Sequence, residues 1–135
     1  MSTKIFVNLP VKDLERSMQF FRKLGYDFNP QFTDANAACL VISEDIFAML
    51  LVEKFFQTFV PAKTIADARH TAEAIVALSA DSRDEVSRIA DAALAAGATP
   101  HQDPMDHGFM YQRSFQDLDG HVWEYIWMDP EKIQK

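Results

Sequence analysis

The sequence predicts an α+β fold: two tandem βαβββ modules forming a curved mixed sheet around a cleft, with helices on the outside. Three observations predict it. An extended apolar stretch followed by a helix occurs twice, first from Ile5-Phe6-Val7-Asn8-Leu9-Pro10-Val11 and again from Ala74-Ile75-Val76-Ala77-Leu78. Each helix is closed by a glycine, Gly25 in the first copy and Gly97 in the second. Each copy then ends on an apolar strand, Phe47-Ala48-Met49-Leu50-Leu51 and Val122-Trp123-Glu124-Tyr125-Ile126. Repetition of one supersecondary unit at a fixed order is the signature of a modular fold, and two copies commonly share a cleft. The expected organisation is one domain over 1–135, with module one at about 4–60 and module two at about 72–130.

Local signals place the elements. Residues 5–11 are rich in β-branched and aromatic types, as a strand requires. Asp13 is the N-cap of the first helix, Leu14, Met18, Phe21 and Leu24 follow at helical spacing, and Gly25 is the C′ residue. Strands are expected at 26–28, 38–43 and 46–52. The stretch 55–61 then leads into a polar connection over 62–71. In the second copy Ser82-Arg83-Asp84-Glu85 is a capping box ahead of Val86, Ile89, Ala93 and Leu94. Residues 99–108, with two prolines and two histidines, read as a loop. Strands return at 109–111 and 121–128, the latter after the turn Asp117-Leu118-Asp119-Gly120.

Composition narrows the class. A chain of 135 residues with 48% hydrophobic residues has ample material for a core. A net charge of −7 excludes a nucleic-acid binder, which gathers Lys and Arg to neutralise phosphates. Cys39 is the single cysteine; it lies in the apolar run 37–42 and reads as a buried structural thiol. No apolar run approaches the ~20 residues that span a bilayer, and no signal-peptide pattern opens the chain. A cytoplasmic protein without a membrane partner is the expectation.

Three motifs carry a family resemblance: Leu9-Pro10-Val11-Lys12-Asp13-Leu14-Glu15-Arg16-Ser17 with Phe20-Phe21 and Leu24-Gly25; Ala95-Ala96-Gly97; and the run Phe115 to Glu124 through Asp119-Gly120-His121. In this order they resemble the vicinal oxygen chelate superfamily, which includes glyoxalase I, extradiol dioxygenases, and fosfomycin and bleomycin resistance proteins. The resemblance implies a cleft holding a divalent metal (Zn, Ni, Mn or Fe), with His and Glu ligands from the first and last strands of each module. It also implies a homodimer.

Residue by residue, the four implied ligand positions read Phe6, Met49, Glu73 and Glu124. Phe6 cannot coordinate, and Met49 does not suit a hard divalent ion. Asn8, two residues after Phe6, offers an amide for hydrogen bonding. Glu73 and Glu124 remain as metal candidates, two carboxylates where a catalytic zinc commonly keeps three protein ligands. Strand alternation groups Glu124 with Val122 and Ile126, against Trp123, Tyr125 and Trp127. Glu124 is either a metal ligand or a cleft carboxylate that pairs with Arg113 or faces solvent. His70 lies near Glu73; His101 and His107 read as solvated loop residues and His121 as structural.

Alternation also places Tyr111 and Arg113 on one face with Phe109 and Phe115, a combination suited to an organic anion. Phe6, Asn8, Met49, Tyr111 and Arg113 are therefore the ligand-binding candidates; no catalytic residue is identified. Phe55, Phe56 and Phe59 read as apolar wall of the cleft or as cover for a dimer contact. Two functions are consistent with these residues. One is a small-molecule-binding protein like the bleomycin resistance branch. The other is a metal-dependent lyase or isomerase of the glyoxalase type, using Glu73 and Glu124 as partial ligands.

Overall fold

The computed structural model describes residues 2–132. The chain divides into two compact units, residues 1–66 and 67–135, and each holds one of the repeated modules. Their strands form two sheets, one in each unit.

The first unit runs β1 (Ile5–Val11), α1 (Leu14–Lys23), β2 (Asp27–Asn29), β3 (Ala37–Val41), β4 (Ile46–Val52) and α2 (Glu53–Phe59). Asp13 caps α1 as its residue type dictates: the side chain accepts a hydrogen bond from the Arg16 backbone N–H at 3.1 Å. Leu14, Met18 and Phe21 then fall on one stripe, and all three are buried. Gly25 ends the helix at φ 104°. The sheet order is β1-β4-β3-β2, with β1 parallel to β4 and the other pairs antiparallel. Val11, Ala38, Leu40, Ala48 and Leu50 form the core face. Cys39 is buried as the sequence indicates, and burial raises its thiol pKa. One element departs from expectation. Residues 53–59 form a helix with no side-chain cap, in which Phe55 and Phe59 meet edge to face at 5.1 Å.

The second unit runs β5 (Ile75–Ser79), α3 (Arg83–Ala95), β6 (Thr99–Pro100), β7 (Met105–Asp106), β8 (Met110–Gln116) and β9 (Val122–Met128). Ser82 caps α3 by accepting from the Glu85 N–H at 3.1 Å. The Glu85 side chain turns outward to Arg88 instead of completing the capping box. The order β5-β9-β8-β6, with β5 parallel to β9, repeats the topology of the first sheet. The expected loop at 99–108 contains two short strands, β6 and β7, that pair with β8. Val86, Ile89, Ala90 and Ala93 of α3 are buried, as are Phe115, Trp123 and Tyr125 of the sheet. The rings of Phe115 and Tyr125 stack with centroids 6.0 Å apart.

Asp117 organises the β8–β9 turn. One carboxylate oxygen accepts from the backbone N–H groups of Asp119 and His121, both at 3.0 Å. The other accepts from the Trp123 indole N–H at 2.9 Å. Burial raises the Asp117 pKa, while the His121 charge and the indole bond act in the opposite direction.

Candidate functional site

The register of β8 on β9 decides which side chains share a face. Ser114 lies opposite Glu124, Gln112 opposite Ile126, and Gln116 opposite Val122. Across the other neighbour, Ala77 lies opposite Glu124. Directly opposed residues point to one side of a sheet, with Cβ atoms about 5 Å apart. One face of the second sheet therefore presents Glu124 in a row with Ala77 and Ser114, bordered by Val122 and Ile126. Gln112 and Gln116 flank the row.

The alternate residues point the other way, toward α3. Tyr111 and Ser87 share a hydrogen bond of 3.1 Å between hydroxyls, and Arg113 bonds Asp91 at 2.8 Å. The Arg83 guanidinium lies 4.6 Å above the Tyr111 ring and 5.8 Å from that of Trp127. This removes one of the alternatives for Glu124, a pairing with Arg113. Arg113 stands opposite Tyr125, one residue out of phase with Glu124, so its guanidinium reaches Asp91 of the helix. Tyr111 and Arg113, expected among the ligand-binding residues, thus belong to the helix-covered side.

Glu124 is half-buried, and its carboxylate makes no hydrogen bond or ion pair among the described residues. The Ser114 hydroxyl accepts from the Gln102 backbone N–H at 3.3 Å, and the Gln116 amide nitrogen meets His101 Nδ1 at 3.2 Å. Ser114, Gln112 and Gln116 are members of this face that alternation alone did not single out. The four-residue turn read from the sequence misleads here: counting outward from Asp117–Gly120 sets Gln116 against His121, one residue short of the Gln116–Val122 register.

The corresponding face of the first sheet is exposed at Phe6 and buried at Cys39 and Leu51. Phe6 lies opposite Phe47, and the two rings stack at 4.9 Å with an interplanar angle of 11°. Asn8 lies opposite Met49, which in turn lies opposite Cys39. Phe6 is 49% exposed, and the Asn8 amide donates to the Phe6 carbonyl at 3.1 Å. This face is apolar and aromatic, with one amide.

The implied metal can be tested against these donors. Phe6 and Met49 supply none suited to a hard ion. Glu73 lies in an exposed bend four positions before Ala77, the residue opposite Glu124. Among the described residues, no group of three His, Cys, Asp or Glu side chains could hold a metal ion. His70 is exposed and faces Asp67 at 3.8 Å. The residues present do not fit a catalytic divalent metal.

The β7 strand is held to α3 by a bidentate pair between Arg83 and Asp106, and Asp106 also accepts from the Gly108 N–H at 2.9 Å. These bonds lower the Asp106 pKa, the Arg83 bond most strongly. Folded Asp106 therefore holds its proton less tightly than the unfolded chain does. Its contribution is full above the ordinary carboxylate range and is lost as pH falls through the lowered folded value. Asp106→Asn should reduce the melting temperature at pH 7, and the difference from the parent should shrink as pH falls below the ordinary carboxylate range. A gap that stays constant with pH would contradict this.

Comparison with known proteins bears on these faces. Residues 3–43 match the bleomycin resistance protein-like N-terminal family. No curated protein matches the chain. Among solved structures, hypothetical protein SA1046 from S. aureus is 28% identical with a TM-score of 0.75, over 93% of this chain and 94% of that one. A glyoxalase-related enzyme from Fulvimarina pelagi is 19% identical with a TM-score of 0.77, over 94% of this chain and 88% of that one. The fosfomycin resistance protein FosX from Mesorhizobium loti is 14% identical with a TM-score of 0.70, over 98% and 97%. Among the described residues no helix is long and apolar enough to cross a membrane. The repeated βαβββ topology is the fold of these solved structures, and the first module matches the bleomycin resistance protein-like N-terminal family.

Proposed function

We propose that this protein binds a small organic molecule on the face of its second sheet that carries Glu124, without a protein-held catalytic metal. One observation carries the reading: Glu124 is half-buried among Ala77, Val122 and Ile126, and its carboxylate has no partner among the described residues. A half-buried carboxylate that makes no bond within the protein keeps its acceptor sites for a bound molecule. A bound molecule that donates hydrogen bonds to Glu124 and Ser114 supplies the partner, with the neighbouring aliphatic side chains as apolar wall. The similarity to a fosfomycin resistance protein and to the bleomycin resistance protein-like family supports small organic molecules as the ligand class.

The alternative is a divalent-metal-dependent lyase or isomerase of the glyoxalase type, with Glu73 and Glu124 as ligands. The name of the Fulvimarina relative favours it. The side chains at positions 6 and 49 weigh against it. Elemental analysis separates the readings: untagged protein is dialysed against zinc, nickel, manganese or iron(II) and its metal content measured. The expected result is no near-stoichiometric metal. About one ion per chain, lost in Glu124→Gln, would establish the alternative.

A further inference from the structure

The charge of the chain is unevenly placed. Residues 1–66 carry seven acidic and seven basic side chains, whereas residues 67–135 carry thirteen acidic and six basic. The whole net charge of −7 therefore resides in the second unit. The arginines of that unit are already engaged. Arg69 donates to the Leu118 carbonyl at 2.8 Å, Arg83 pairs with Asp106, Arg88 with Glu85 and Arg113 with Asp91. None of the four pairs with Glu124.

The uncharged groups beside Glu124 can donate or accept: the Gln116 amide keeps its carbonyl oxygen and one N–H beyond its contact with His101, and the Ser114 hydroxyl, which accepts from Gln102, keeps its O–H and a second lone pair. The one charged group on this face is a carboxylate, which accepts only. An anionic ligand would meet an unpaired carboxylate at close range in partly apolar surroundings, where repulsion is weakly screened. An ammonium group carries three donors and no acceptor, and its charge is opposite to that of Glu124.

We infer that the ligand of this face is an organic cation, an amine whose ammonium group sits between Glu124 and Ser114 while its apolar body covers Ala77 and Ile126. The inference rests on the reading of this face as an organic-ligand site and specifies its charge class. It replaces the organic anion expected when Arg113 was grouped with this site.

The test uses three probes with one ring system: 2-naphthylmethylamine, 2-naphthalenemethanol and 2-naphthoate. Isothermal titration calorimetry on the full chain at pH 7 should give an amine affinity at least tenfold above that of the alcohol, with naphthoate weakest. Added salt should weaken the amine selectively. Glu124→Gln should abolish the preference of amine over alcohol. This comparison is read within each protein, so a general loss of affinity does not imitate it. Equal binding of amine and alcohol, or tightest binding of naphthoate, would overturn the cation and leave the organic-ligand reading standing. An amine preference unchanged in Glu124→Gln would overturn the assignment to Glu124. Silence of all three probes would overturn both the inference and the reading beneath it.

Discussion

Asp117→Ala should lower the unfolding free energy by about 4 kcal/mol, the largest loss expected from any polar side chain here. The side chain is 6% exposed at the residue level, so water has little access to the groups it serves. It accepts three hydrogen bonds, two from the turn backbone and one from the Trp123 indole. Removing an acceptor leaves each buried donor unpaired at about 1–3 kcal/mol. Trp123 is completely buried, so its N–H cannot turn to solvent. The cost is partly offset because a buried carboxylate no longer has to be desolvated, in line with its raised pKa. Asp117→Asn keeps an oxygen for the turn but sets an amide against the indole, and should cost about half as much. Urea unfolding measures both; a loss below about 1 kcal/mol in Asp117→Ala would show that the turn holds without its carboxylate.

Gly120→Ala should cost about 3 kcal/mol for a different reason. Gly120 has φ 94°, a conformation that costs a side-chain-bearing residue about 1–2 kcal/mol. A Cβ there would also lie 2.8 Å from the Ala68 carbonyl carbon and from the Arg69 nitrogen. Both obstacles are backbone, so rotamer adjustment cannot relieve the contact. The segment around 67–71 would have to withdraw, weakening the bond from Arg69 to Leu118. Relief by that withdrawal sets the expected figure near the cost of strain plus one lost hydrogen bond. Thermal unfolding of Gly120→Ala checks it, and an unchanged melting temperature would contradict the close packing of these two segments.

The amount legible in the sequence followed from how local each determinant is. Asp13 with Gly25, and Ser82 with Gly97, bracket their helices because caps act through neighbouring backbone groups. The helix 53–59 escaped notice because Val52 at its N-cap makes no side-chain bond, and its three phenylalanines read equally as an apolar strand. At the site, alternation separated Glu124 from Trp123 and Tyr125 correctly. It could not say which set α3 covers, nor how β8 aligns with β9. Arg113 shows the consequence: its partner, Asp91, is 22 residues away on a helix, a contact fixed by tertiary packing and invisible to periodicity. The size of Trp123 and Tyr125 was the available clue, since the bulkier apolar set marks the core side. Phe6 and Met49 were legible at once as non-ligands, because that judgement needs only side-chain chemistry.

The central claim is that Glu124 and its neighbours bind an organic molecule unaided by metal. A site-resolved ¹H–¹⁵N NMR titration of chelator-treated protein with a library of small organic fragments tests it most directly. The account predicts fragments that shift the amides of Gln112, Ser114, Glu124 and Ile126 together, with the response lost in Glu124→Gln. Fragments that bind only after a divalent metal is restored, or that shift residues elsewhere and leave these four unmoved, would contradict it.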